Sequence, residues 1–174
     1  MKYFYLPAVL LLFQFTTALG QSSASRVYQI LQDKCVQCHN PVSPSGGLDL
    51  QGEGATAEMR ALDVYNNLYE ISPQNTAAAQ AGDAYIYPGR VDKSFLFRKI
   101  NDGLEENLQL GEEEGQSMPP YGQPQLDEVE KELIRQWILF GAPLQEEVVD
   151  ESLLESYYGG NAIQSFPEGR RKRR

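Results

Sequence analysis

The sequence predicts a mainly helical domain of short helices joined by loops rich in proline and glycine. Three observations predict it. Apolar residues recur at helical spacing in several separated stretches, and the last of these has start and stop signals at its two ends. Only Leu48 and Leu50, alternating with polar residues, read as a short extended piece. The stretches between are punctuated by Gly46-Gly47, Pro88-Gly89 and Pro119-Pro120. Hydrophobic residues make up 41% of the chain and charged residues 22%, which places it among globular rather than disordered chains.

At the N-terminus, Lys2 precedes an uncharged, mostly apolar run from Tyr3 to Leu19, and Ala18-Leu19-Gly20 supplies small residues at the end of it. This is the pattern of a secretory signal peptide over residues 1–20, cut near Gly20/Gln21. An uncleaved anchor is the competing reading. Pro7 and Gln14 within the run favour cleavage, and with it no stable membrane span. Ser22 to Ser25 offers several helix caps, and Val27, Ile30, Leu31 and Lys34 form a stripe on a helix over Arg26 to Lys34. Asn40 to Gly47 is a loop. Met59, Leu62, Tyr65 and Tyr69 predict a helix over Glu58 to Glu70. Gln74 to Gly82 reads as an inserted surface loop.

Asp92 or Ser94 caps a short helix through Ile100, with Phe95, Leu96 and Ile100 inward. Asn101 to Gln116 is an acidic, solvated loop. The last helix has Asp127 as N-cap, Glu130 in capping-box position, and an apolar face of Val129, Leu133, Ile134, Trp137 and Ile138. Gly141 and Pro143 close it. Beyond Leu144 the pattern fades. Val148 to Tyr158 has residues able to pack, and Arg170 to Arg174 is a basic end. Its simplest role is a solvated tail, with contact to anionic lipid as the alternative.

Net charge is −9, and removing the +5 of Arg170 to Arg174 leaves −14 on the rest. A body this acidic argues against nucleic acid as a partner. It suits a protein that meets a basic surface by electrostatic steering, although acidity also serves solubility alone.

Cys35-Val36-Gln37-Cys38-His39 is a CxxCH motif, the signature of c-type haem attachment. Two thiols must reach two vinyl groups on one porphyrin edge, and a helical turn with two intervening residues sets both sulfurs along that edge. The next residue then falls beneath the iron, where a neutral imidazole binds axially. Three rivals use the same residues. A redox disulfide would place the pair after a strand and ahead of a helix, whereas this pair comes after a helix. A zinc site would have Cys35, Cys38 and His39 but no further Cys or His. A structural disulfide beside an idle histidine is the third.

His39 is the only histidine, so two histidines of one chain cannot share the iron. Methionine is the natural second ligand. Once Met1 leaves with the signal, Met59 and Met118 remain. Met118 is the better candidate: it stands in a loop ahead of Pro119-Pro120, which stiffen the backbone presenting it. Met59 lies in a predicted amphipathic helix, where methionine fills cores. A five-coordinate iron is the other outcome.

These motifs resemble, in the same order, those of class I cytochrome c domains, and especially the planctomycete-type variant. The matching pieces are the CxxCH motif, Gly46-Gly47-Leu48-Asp49-Leu50, Pro88-Gly89, Lys93-Ser94-Phe95-Leu96, Met118-Pro119-Pro120, and Leu133 to Ile138 closing at Gly141-Ala142. The resemblance covers residues 26–143. It implies an all-α, cytochrome c-like fold of short helices wrapped round one covalently bound haem c, with the first and last helices crossing. It implies Cys35 and Cys38 as thioether links, His39 as proximal and Met118 as distal iron ligand. Arg98 and Lys99 are candidate propionate contacts, with surface solvation as the competing role. The chain departs from the most compact members in an insertion near 52–82. The domain so outlined spans 21–143, and residues 144–174 form a C-terminal extension.

The functional expectation is an exported electron carrier rather than an enzyme, periplasmic or extracellular, docking to a redox partner with a basic surface. The alternative is a haem-bearing subunit or module dedicated to one secreted oxidoreductase. A haemless zinc or thiol-disulfide protein is a third, of a different class.

Overall fold

The computed structural model describes residues 22–152. The segment 1–20 expected to be a signal peptide, Tyr157, Tyr158 and the basic end lie outside the described residues. The chain is mostly helical: α1 (Ser23–Lys34), α2 (Ala57–Leu68), α3 (Thr76–Gln80), α4 (Phe95–Ile100) and α5 (Glu128–Leu139). The only sheet among the described residues is an antiparallel pair, β1 (His39–Asn40) with β2 (Ser43–Pro44). No helix among them is long and apolar enough to cross a membrane.

Helix α1 begins three residues earlier than its apolar stripe predicts, because Ser22 is the cap: its side chain accepts the Ser25 amide, and Ser23 to Ser25 enter the helix. Helix α5 has the predicted capping box. Asp127 accepts the Glu130 amide, and the Glu130 carboxylate accepts the Asp127 amide. The two helices pack together, and α2 packs on α1. Val27, Leu31, Phe97, Ile134, Trp137 and Ile138 are at most 3% exposed and form the centre of the core. Burying each such side chain contributes about 1.5–3 kcal/mol. Trp137 keeps its indole N–H satisfied at the Pro143 carbonyl (3.0 Å).

Five expectations are corrected. Leu48 and Leu50 form no strand. The Leu50 amide instead donates to the His39 carbonyl at 2.9 Å. Ser94, one of the two expected caps, does stand at the N-cap of α4, but neither its side chain nor that of Asp92 makes the capping bond. Asp92 pairs with Arg90, while the Ser94 hydroxyl accepts the Tyr87 amide and donates to the Arg90 carbonyl, closing the Pro88-Gly89 turn. The stretch Gln74 to Gly82 is no surface loop: it contains α3, capped by Asn75, and Ala78 is fully buried. Within the acidic stretch Asn101 to Gln116, Asn101 and Glu114 are buried, and Glu112–Glu114 forms a 3-10 turn. On α2 the buried face is Val64 and Leu68, with Ala61 beside them. Met59 and Leu62 are 53% and 44% exposed, so Met59 is not core filler.

Past Pro143 the chain stays on the body. The Ser22 hydroxyl donates to the Leu144 carbonyl, the Ser23 amide to the Glu146 carbonyl, and the Val148 amide to the Ser23 hydroxyl. Val149 is buried in the core. The Asp150 amide reaches Gln136, whose own amide group donates to the buried Glu132 carboxylate.

Candidate functional site

The CxxCH segment continues the last turn of α1. The Cys35 amide donates to the Leu31 carbonyl (2.9 Å), and the Cys38 and His39 amides both donate to the Cys35 carbonyl (3.1 and 3.0 Å). One turn therefore carries both cysteines and the histidine on a short stretch of backbone. Asn40 organises the hairpin between β1 and β2. Its side-chain amide donates to the Val36 carbonyl, and its oxygen accepts the amides of Val42 and Ser43. The returning chain is held at the Cys38 carbonyl by Ser45 and at the His39 carbonyl by Leu50. Between them it turns at Gly46 and Gly47, both with positive φ (60° and 67°). A Cβ on Gly47 would also strike the Gln74 amide, which donates to the Gly47 carbonyl.

This turn forms one wall of a cavity of about 420 Å3 with largely apolar sides, within the range of small-molecule and cofactor sites. Cys35, Cys38 and His39 line it together with Met118, Pro119 and Pro120, and Leu31, Leu48, Leu50, Phe95, Leu96 and Ile100 are among the other lining residues. Met118 is half-buried, and its peptide bond to Pro119 is cis. Its amide donates to the Lys99 carbonyl at the end of α4 (2.6 Å). Met59, on exposed α2, is not part of the wall.

His39 has a buried Nδ1 with no hydrogen-bond partner, so its imidazole has an uncommitted nitrogen. Both cysteines are free thiols. Burial, helped by the nearby Glu130 carboxylate and by Cys38 and opposed by Lys34, pushes the Cys35 thiol up to about 11. Among the described residues no three His, Cys, Asp or Glu side chains converge as a metal-ion site.

Arg98 and Lys99 diverge. Lys99 lines the cavity, and its ammonium donates to the carbonyls of Glu114 (2.8 Å) and Gln116 (2.6 Å). Burial lowers its pKa, with Glu114 acting in the opposite direction. Arg98 is not among the lining residues and joins a buried ion cluster. Its guanidinium meets both Glu114 oxygens and also pairs with Asp83, which Lys93 reaches from its other side. Glu114 is itself a cavity residue. Burial alone would raise its carboxyl pKa, but the Arg98 guanidinium, the Gly111 amide and Lys99 outweigh it and hold the carboxyl below the ordinary value of 4.5.

Cys35, Cys38, His39 and Met118 stand out in the sequence, and the fold gathers all four at one cavity. Glu114 does not stand out, hidden as it is among three consecutive glutamates. The available signal was Gly111, whose amide the Glu114 carboxylate accepts at 2.7 Å in the manner of a helix-start box. Gln125 was missed as well; its side-chain amide lies on the carbonyls of Pro119 and Pro120.

Comparison with family models, with curated proteins and with solved structures gives no match to this chain.

Proposed function

We propose that the protein is an exported, single-haem c-type cytochrome, of the kind its motifs resemble, that passes single electrons between redox partners. One observation carries the reading. Cys35, Cys38, His39 and Met118, drawn from segments some eighty residues apart, line a single largely apolar cavity. Thioether attachment and axial ligation need those residue types together at such a place.

In this reading each thiol adds across one vinyl group, sulfur to one carbon and hydrogen to the other. His39 would hold the iron through a neutral imidazole and Met118 through its thioether. Haem c bound there supplies a one-electron ferric/ferrous couple, which a thioether ligand biases toward the ferrous state. The chain's own part is to hold, orient and exclude water. Leu31, Leu50, Phe95, Leu96 and Ile100 keep the surroundings apolar, and Met118 fills the position a substrate would need. The acidic surface then steers a basic redox partner. The free carrier is the primary form of the reading, and a subunit dedicated to one secreted oxidoreductase is the alternative.

In the thiol-disulfide alternative Cys35 does not suit the attacking role, since a reactive cysteine needs a lowered pKa and burial pushes this thiol the other way.

The test is a pyridine haemochrome assay on protein co-expressed with c-haem maturation machinery and purified from the exported fraction. One covalent haem per chain supports the reading. No covalent haem despite competent machinery, with bound zinc or a Cys35–Cys38 disulfide instead, sinks it.

A further inference from the structure

The stretch Met118-Pro119-Pro120 is hard for a backbone to hold. Neither proline has an N–H, so past the Met118 amide this part of the main chain can be tied down only through its carbonyls. Pro120 and Tyr121 are exposed, and no helix or strand runs between Glu114 and Glu128. The Pro120 carbonyl accepts the Gln123 amide at 3.0 Å, and Gln125 supplies further donors to both proline carbonyls. Its Nε2 lies 3.3 Å from the Pro119 carbonyl oxygen, 3.1 Å from that of Pro120 and 2.9 Å from that of Gln123. Two hydrogens serve three acceptors, so one is shared.

Gln125 is anchored in turn from the end of α1. Its own carbonyl accepts the Lys34 ammonium at 2.9 Å. Lys34 is the residue before Cys35, and it also pairs with Glu130 (3.1 Å), the capping-box glutamate of α5. The Met118 loop and the CxxCH turn are therefore linked through one side chain and one carbonyl. On the other side of the loop, the Met118 amide rests on the Lys99 carbonyl.

We infer that Gln125 is the positioning residue for Met118: its side-chain amide grips the two proline carbonyls and, through Lys34, sets the methionine in register with the CxxCH turn. The inference rests on Met118 being the second axial ligand of the proposed haem. Gln125 touches neither that ligand's sulfur nor the haem site directly, and it is exposed, so its loss leaves the core intact.

The experiment uses the full chain, matured with haem, as Gln125→Glu and Gln125→Ala. The first keeps the shape and removes the N–H donors; the second removes the whole grip. Imidazole is titrated into the ferric protein, where it competes with Met118 for the iron, and the weak far-red absorption of the thioether–ferric bond is recorded. Both variants are expected to keep one covalent haem and to bind imidazole roughly three- to tenfold more tightly, the scale of a lost hydrogen bond. Their far-red band should weaken in parallel. Ser22→Ala, which loses the α1 cap without touching the loop, is expected to keep the native affinity. Haem-loaded Gln125→Glu with unchanged imidazole affinity and band overturns the inference and leaves the proposed function standing. An equal rise in Ser22→Ala marks general loosening and also overturns it. A native chain without covalent haem overturns the proposed function, and the inference with it.

Discussion

The Arg98 guanidinium and the Glu114 carboxylate form a two-pronged pair, at 2.7 and 2.6 Å, directly behind the cavity wall. Asp83 lies on the same guanidinium, with its side chain 1% exposed. Replacing Arg98 by methionine removes the guanidinium that two buried carboxylates share, leaving Lys93 on Asp83 and the nearby Lys99 for Glu114. The expected loss is about 3–5 kcal/mol in urea unfolding at pH 7. A loss below about 1 kcal/mol would show that the cluster is not buried in solution.

The same pair sets an acid limit. Glu114 titrates below its ordinary value of 4.5 in the folded protein. Its contribution to stability is therefore complete above that value and disappears as pH falls through the lowered folded-state value. Glu114→Gln is expected to be less stable than the native protein at pH 7, with the gap narrowing steadily below pH 4.5. Unfolding curves taken across that window that stay parallel would remove Glu114 from the account.

Met118 and Met59 make a paired test. Met118→Ala is expected to lower the reduction potential of the haem-loaded protein and abolish its far-red band, since the thioether raises the potential. Met59→Leu, on the exposed face of α2, is expected to change neither. The reverse pattern, read by spectroelectrochemical titration, would reassign the ligand.

Leu31 lines two cavities at once: the one behind the CxxCH turn and a second of about 380 Å3 between α1, α2 and residues 144–145. Leu31→Ala truncates a side chain that lines both and is 3% exposed. The expected cost is about 2–5 kcal/mol by chemical denaturation. A cost under about 1 kcal/mol would mean that the surrounding helices collapse onto the gap.

Electron transfer to a basic partner is expected to slow steeply between low and physiological salt, because exposed charges are screened beyond about 8 Å at 0.15 M. Stopped-flow rates that stay flat with salt would leave the acidic surface as a solubility feature only.

How much was legible in the sequence depends on how local each signal is. The Asp127–Glu130 box and the CxxCH turn are written within four or five residues, and both could be read directly. His39 and Met118 stood out because the chain has so few residues able to bind iron. The face of α2 was misplaced because Tyr65 sits between two possible stripes. Its contact with Trp137 and its hydrogen bond to the Ala142 carbonyl turn Val64 and Leu68 inward and leave Met59 and Leu62 outside. Glu114 looked solvated because burial of a carboxylate depends on a partner far along the chain, and Arg98 lies 16 residues earlier. Gln125 carried no local signal, since its role is defined by carbonyls that any residue type could present.

The strap over the start of α1 has a geometric consequence. Ser22 and Ser23 bond to residues 144–148, and Arg26 pairs with Glu151, so both ends of the described body lie at the first turns of α1. The CxxCH turn lies at the opposite end of that helix, about 18 Å away along its axis. A tether joined at either end would leave from the pole remote from Cys35. Such a molecule could be moored to a surface or a second protein by either end with its cavity still turned outward.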